Sequence, residues 1–283
     1  PRVRRQRQMC IRDSSERLKY NQMNYNNDVE LDNFCSQCLL VINAVGPSFK
    51  INDKIALHAL RNNCHYIDIG GYGILRDLLK PYEKSIEAQK LCFIIGVGWM
   101  PGISGVFSKT IIETHLNSPE NTNFNIYYGA VDNWSYSSTY DLAASSMGKT
   151  RSYVYSHGKE IQVSPFRYTH HKFFPFIGHK KICMPSFDEQ LTQLATSLKQ
   201  IRKISTFIML NDYISMGKFM FIKIFYKHNL NKATLMLQDD YQRLVKKENK
   251  WGSVICQVSK IEPERKIDTC LLYTSPSPRD PKT

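Results

Sequence analysis

The chain has 283 residues, 42% hydrophobic and 22% charged, a balance that excludes a disordered or fibrous polypeptide and provides core for one large domain or two ordinary ones. The formal net charge of +13 suits a polyanion partner, yet the lysines and arginines form no dense basic run outside the N-terminal segment and no nucleic-acid motif accompanies them. The most apolar long run, 204–226, is interrupted by Asn211, Asp212, Lys218 and Lys223, so it reads as one or two amphipathic helices on a sheet and not as a membrane span.

Residues 1–14 (PRVRRQRQMCIRDS) and 270–283 (CLLYTSPSPRDPKT) lack apolar periodicity and resemble translated sequencing adapter. Both are expected to lie outside the fold. They hold +4 and +1 of the net charge, which leaves +8 in between. Six cysteines remain there: Cys35, Cys38, Cys64, Cys92, Cys183 and Cys256. Their irregular spacing suits reduced, mostly buried thiols of a cytoplasmic protein, and the lone CxxC at 35–38 has no second pair for zinc.

In chain order, 15–31 is polar and Asn-rich, and NDVELDN (27–33) is a candidate short strand. CLLVINAVGP (38–47) is a continuous apolar run stopped by Gly46 and Pro47, the pattern of a buried parallel strand. A helix with Ile51, Ile55, Leu57 and Leu60 on its apolar side follows. CHYIDIGG (64–71) is the second strand, and a helical stretch interrupted near Pro81 comes next. LCFIIGVG (91–98) is the third strand, and GVFSKTIIETHL (105–116) the third helix. Three strand–helix units within 80 residues imply a parallel sheet with right-handed crossovers. Ligands of such sheets sit beyond the carboxyl ends of the strands, here NAVGP, DIGGYG and GVGWMPG.

The texture changes after residue 118. FNIYYGAVDN (124–133) and WGSVICQVSKIE (251–262) read as strands, YTHHKFFPFIGHKKICM (168–184) as short strands and turns, and FDEQLTQLATSLKQI (187–201) as a helix. The expected architecture is α/β. A parallel sheet with its helices spans 15–118, and an α+β domain spans 119–269.

GVGWMPG (96–102) invites reading as a dinucleotide fingerprint. Gly96 and Gly98 suit its first two positions, but Pro101 stands near the third, and Trp99 and Met100 crowd the middle. The acidic residue expected about 20 positions on has no good equivalent, since Asp132 lies 30 positions after Gly102. A turn on a later strand, contacting substrate and not pyrophosphate, fits better.

VINAVGP (41–47), HYIDIGG (65–71) and GVGWMPGISG (96–105) resemble, in order and spacing, the saccharopine dehydrogenase-like family over roughly residues 25–200. The resemblance implies an NAD(P)-binding Rossmann domain whose glycine loop precedes the NAVGP strand. No such loop is found in this sequence, so the chain is expected to be an inactive fragment of an enzyme. Asn43, Ala44, Val45, Gly46 and Pro47 would then form the turn beside the nicotinamide ribose. Tyr66 and Asp68 would end the next strand near the reacting centre, with Asp68 either handling a proton or capping a helix. Gly98 and Trp99 would lie on the substrate side, and Arg151 and Arg167 could meet a carboxylate.

The implied reaction is hydride transfer at a carbon–nitrogen bond of a small amino-acid-type substrate, by a protein with no nucleic-acid partner, no membrane span and a homodimer among its assemblies. Tyr72 and Met100, where relatives are polar, favour a non-catalytic scaffold that kept the fold. A polyamine synthase on the same scaffold would use carboxylates such as Asp132 and Asp141. His170 and His171 lack ligand partners at helical spacing and imply no metal.

Overall fold

The computed structural model describes residues 19–71, 73–115, 122–147, 152–157, 159–186, 189–197, 201–226, 228–261 and 266–275. The segment 1–14 lies outside them.

Helix α1 (Asp28–Cys35) occupies the stretch that the sequence suggested as a strand. The Asn27 side chain accepts hydrogen bonds from the Val29 and Glu30 amides, and donates to Glu30 Oε1 at 2.7 Å. This reciprocal cap, with Leu31 and Cys35 buried four residues apart, outweighs the weak strand pattern.

Strands β1 (Leu40–Asn43), β2 (His65–Asp68) and β3 (Phe93–Ile95) form a parallel sheet in that order. The connection β1–β2 holds helices α2 (Ser48–Ile51) and α3 (Lys54–Arg61), separated at Asn52, whose φ of 51° ends the first. The connection β2–β3 holds α4 (Gly73–Leu79) and α5 (Glu83–Ala88), with a 3-10 turn at Lys80–Tyr82 around the expected break at Pro81. Helix α6 (Ile103–His115) follows β3.

Side chains alternate strictly across these strands. Val41, Tyr66 and Ile95 face a core with Leu31, Ile55, Ala59 and Leu75. Leu40, Ile42 and Ile94 face outward and stay exposed, Ile42 by 61%. Parallel sheets are ordinarily covered on both faces, so this bare apolar face is an association hazard. The isolated chain is expected to self-associate in dynamic light scattering. A monodisperse monomer at high concentration would contradict that.

The remaining strands build a mixed eight-stranded sheet: β4 (Thr122–Val131), β5 (Tyr153–Ser156), β6 (Lys159–Gln162), β7 (His170–Phe174), β8 (His179–Pro185), β9 (Lys203–Leu210), β10 (Trp251–Ile261) and β11 (Lys266–Ser275). β4 and β9 pair in parallel at its centre, and β10 and β11 extend it antiparallel. Residues 270–275, expected outside the fold, therefore lie in β11 opposite Gly252–Gln257, and 276–283 fall outside the described residues.

Phe124, Ile126 and Tyr128 of β4 point into a core closed by α6 and helix α9 (Glu189–Ser197), and Tyr127 points to the opposite face. The run 204–226 splits into β9 and helix α10 (Tyr213–Phe225) because Asn211 and Asp212 break it, and Asp212 caps the helix by accepting from the Ser215 amide. Helix α11 (Leu230–Lys247) and helix α7 (Tyr136–Met147) pack beside α10, and a short helix, α8 (Pro165–Tyr168), precedes β7. No helix of the described residues is long and apolar enough to cross a membrane. No two of the described cysteines are bridged, and Cys92 is exposed.

Asp212 links cap and core through a two-pronged pair with Arg243 at 2.7 and 2.9 Å. Burial would raise its carboxyl, but the Arg243 guanidinium and the Ser215 amide outweigh it and hold the group at about 2. A depressed folded value stabilises above the ordinary range near 3.8 and fades as pH falls toward 2. With a third of the side chain in water, the contribution is about 1 kcal/mol. Urea unfolding at pH 6 and pH 2.5 should therefore show a smaller pH effect in Asp212→Asn than in the parent. Parallel losses in both proteins would contradict this.

Candidate functional site

The carboxyl ends of β1, β2 and β3 open onto a cleft of about 1050 Å3 whose far wall is the larger sheet and helices α7, α10 and α11. Ala44, Val45 and Gly46 line it from the first turn, Ile69, Gly70 and Gly71 from the second, and Gly98, Trp99 and Met100 from the third. Val45, Ile69 and Ile74 are exposed by 41–47%, an apolar rim suited to a flat ring.

The turns pack so closely that side chains are excluded. A Cβ on Gly46 would lie 2.8 Å from Ser137 Cβ, which seats α7 against the first turn. Asp141, one helical turn on, accepts from the Ser48 amide at 2.9 Å and the Phe49 amide at 3.2 Å. A contact across the cleft thus fixes the segment after Pro47.

Gly102 has a φ of +127°, and a Cβ there would lie 2.2 Å from the Gly98 carbonyl oxygen. The amides of Gly102, Ile103, Ser104 and Gly105 already donate to Gln190 Oε1 and to the Gly98, Trp99 and Gly102 carbonyls. GVGWMPG therefore has no amides left at the start of α6 to cradle a pyrophosphate. This loop does not suit the phosphates of a dinucleotide.

Asn43, Tyr66 and Asp68 form a buried hub beneath the first two turns. Tyr66 Oη donates to Asp68 Oδ2 at 2.6 Å, Asn43 Nδ2 donates to the same oxygen at 2.7 Å, and the Gly71 amide donates to Asp68 Oδ1 at 2.5 Å. Asn43 Oδ1 accepts from the Val45 amide at 3.0 Å. Burial and the Asp68 carboxyl push the Tyr66 phenol up. None of the three lines the large cleft: Asn43 and Asp68 face a small cavity with Ile51 and Leu75. Tyr66 and Asp68, read from the sequence as catalytic, are thus engaged in holding the turns.

Of the other sequence-derived residues, Gly98 and Trp99 line the cleft, and Pro47 is buried behind it. Arg167 is exposed on α8 and away from the cleft wall, and Arg151 lies outside the described residues. Asp132 is paired with Lys250 at 2.7 Å. His171 Nε2 meets the Tyr213 hydroxyl at 2.8 Å, and no group of three metal-ligating side chains exists among the described residues. The charged residues described on the wall are Arg76, Asp141 and Asp240, and the rest is largely aliphatic and aromatic.

Sequence reading missed the far wall, notably Trp134 and Tyr241, whose rings stack at 4.6 Å and 7°. A usable signal was present in α11. Leu237 and Leu244 mark its buried face, and the spacing places Asp240 on the same face, where it is 5% exposed.

No protein-family model matches the sequence, and no curated protein matches it. Among solved structures, the chain is similar to the L-glutamate-forming saccharopine dehydrogenase of Saccharomyces cerevisiae. The TM-score is 0.58 and the identity 14%, covering 95% of this chain and 78% of that one. It also aligns with a candidate oxidoreductase, YvaA of Bacillus subtilis, at a TM-score of 0.37 and 8% identity over 94% of this chain and 72% of that one, which carries no weight. The first likeness shows a shared fold: a Rossmann-like parallel sheet plus a second α/β body.

Proposed function

We propose that this chain is the nicotinamide- and substrate-binding portion of an NAD(P)-dependent oxidoreductase of the saccharopine dehydrogenase type, acting at a carbon–nitrogen bond of a small amino-acid-type substrate. The observation that carries the reading is the cleft at the carboxyl ends of three parallel strands, where this class of sheet binds its ligand. The shared fold supports it.

When bound, the nicotinamide would supply the hydride. The chain's own residues do the positioning. The hub of Asn43, Tyr66 and Asp68 holds the first two turns rigid, and these turns would carry the nicotinamide. Asp141 and Ser137 lock the first turn to the substrate wall, so the two halves of the cleft keep a fixed separation. Trp99 and Met100 anchor the third turn by packing against the core of the larger sheet. Asp68 is a positioning residue in this reading, not a proton carrier.

Trp99 and Trp134 report on occupancy. NADH or NADPH should quench tryptophan emission saturably, and adding an oxo acid with an amine should not abolish that quenching. Absence of saturable quenching by either dinucleotide would sink the proposal.

The second reading, a scaffold without chemistry, draws on one observation: no carboxyl, thiol or imidazole on the described wall is both unengaged and close to the turns. It expects the same quenching to be absent.

A further inference from the structure

Tyr241 stands on α11 and lines the half of the cleft away from the strand-end turns. Its ring is held flat against Trp134, with centroids 4.6 Å apart and planes 7° off parallel. Its hydroxyl makes no hydrogen bond to any described residue. The polar groups around it are otherwise engaged. Asp240 is held by Arg243 at 2.9 Å and Lys218 at 3.3 Å, and Arg243 also clamps Asp212. Asn211 accepts from Lys181 at 2.7 Å. Around these the wall carries Leu142, Phe219, Leu237 and Leu244, with Ser138, Ser145 and Ser215 as its small polar groups.

An aromatic ring fixed by stacking costs little further entropy when its hydroxyl engages a ligand. Burial, reinforced by the Asp240 carboxylate, pushes the phenol up, so it remains a donor throughout the working pH range. A donor that keeps its proton recognises an acceptor and does not deliver a proton. The cations beside this half, Arg243 and Lys218, are already committed to Asp212 and Asp240, which disfavours a second carboxylate here.

We infer that the Tyr241 hydroxyl is the recognition donor for a carbonyl or carboxylate oxygen on a predominantly apolar oxo-acid-type substrate. This rests on the carbon–nitrogen reading, in which an oxo acid is the electrophilic partner of the amine. It sets the substrate class apart from dicarboxylates.

The test is calorimetric titration of the chain with 4-methyl-2-oxopentanoate and with 2-oxoglutarate, in the parent and in Tyr241→Phe. The parent should bind the branched apolar acid more tightly than the dicarboxylate. Tyr241→Phe should weaken the apolar acid about tenfold, the scale of one hydrogen bond in a desolvated site. Since the variant removes a hydroxyl with no hydrogen-bond partner among the described residues, its melting temperature should equal the parent's. Equal affinity in both proteins, preference for 2-oxoglutarate, no binding of either acid, or a lowered melting temperature would each overturn the assignment. Dinucleotide quenching is read separately without oxo acid. Its persistence in both proteins leaves the cofactor reading intact whichever way the titration falls.

Discussion

Replacing Glu248 by leucine is expected to destabilise the protein by about 3–5 kcal/mol. Lys181 is 1% exposed on β8, inside the larger sheet. Its Nζ donates to Glu248 Oε2 at 2.9 Å and to Asn211 Oδ1 at 2.7 Å, and lies 5.2 Å from the Trp251 ring centroid. Without Glu248 a buried ammonium keeps one neutral acceptor and a ring face, which does not offset the lost hydration. Lys181→Met should cost less, because Glu248 is 27% exposed and water can hydrate it. The double variant Lys181→Met, Glu248→Leu should return to within about 1 kcal/mol of the parent, as buried ion pairs exchanged for apolar pairs often do. Urea unfolding of the four proteins gives the cycle. If Glu248→Leu is as stable as the parent, the buried pair is not stabilising its own lysine.

Replacing Asp68 by alanine is the second large effect. The carboxyl accepts from three buried donors: Tyr66 Oη, Asn43 Nδ2 and the Gly71 amide. Each donor left unsatisfied costs about 1–3 kcal/mol. Tyr66 and Asn43 retain each other at 3.1 Å, so the net loss should be about 3–4 kcal/mol. Asp68→Asn keeps an acceptor for Gly71 and should cost less than half of that. The Gly70–Gly71 turn lines the cleft, so the alanine variant should also weaken dinucleotide quenching, and the asparagine variant should largely preserve it. Equal quenching in parent and Asp68→Ala would separate the hub from the cleft and contradict the positioning role.

The parallel sheet was legible because its strands are continuous apolar runs ended by glycine, and these runs lie at βαβ spacing. The cleft was legible for the same reason: Ala44, Val45, Gly46, Gly98 and Trp99 all stand beyond strand ends. Tyr66 and Asp68 stand beneath the turns and not on the large cleft, and the sequence held that information. They share parity on β2, and the register pairs Asp68 with Asn43 and Tyr66 with Val41, so all four face the core side. Period-two alternation puts such residues under the turn, not in front of it. The far wall was not legible. Trp134 and Tyr241 lie 107 positions apart in the sequence, and only the packing of α7 against α11 brings them together. The strand in 204–210 was obscured because β-branched and aliphatic residues suit a buried strand and a helix alike.

The most direct measurement is saturation-transfer NMR with the two halves of a dinucleotide, nicotinamide mononucleotide and adenosine monophosphate. The nicotinamide ring protons should receive saturation if the proposed ring site is correct, and those of adenosine monophosphate should receive little, since the described residues at the start of α6 offer no phosphate cradle. Val45→Trp, which fills the rim of the first turn, should remove the nicotinamide signal. No transfer to nicotinamide mononucleotide, or transfer unchanged in Val45→Trp, would contradict the assignment of the cleft.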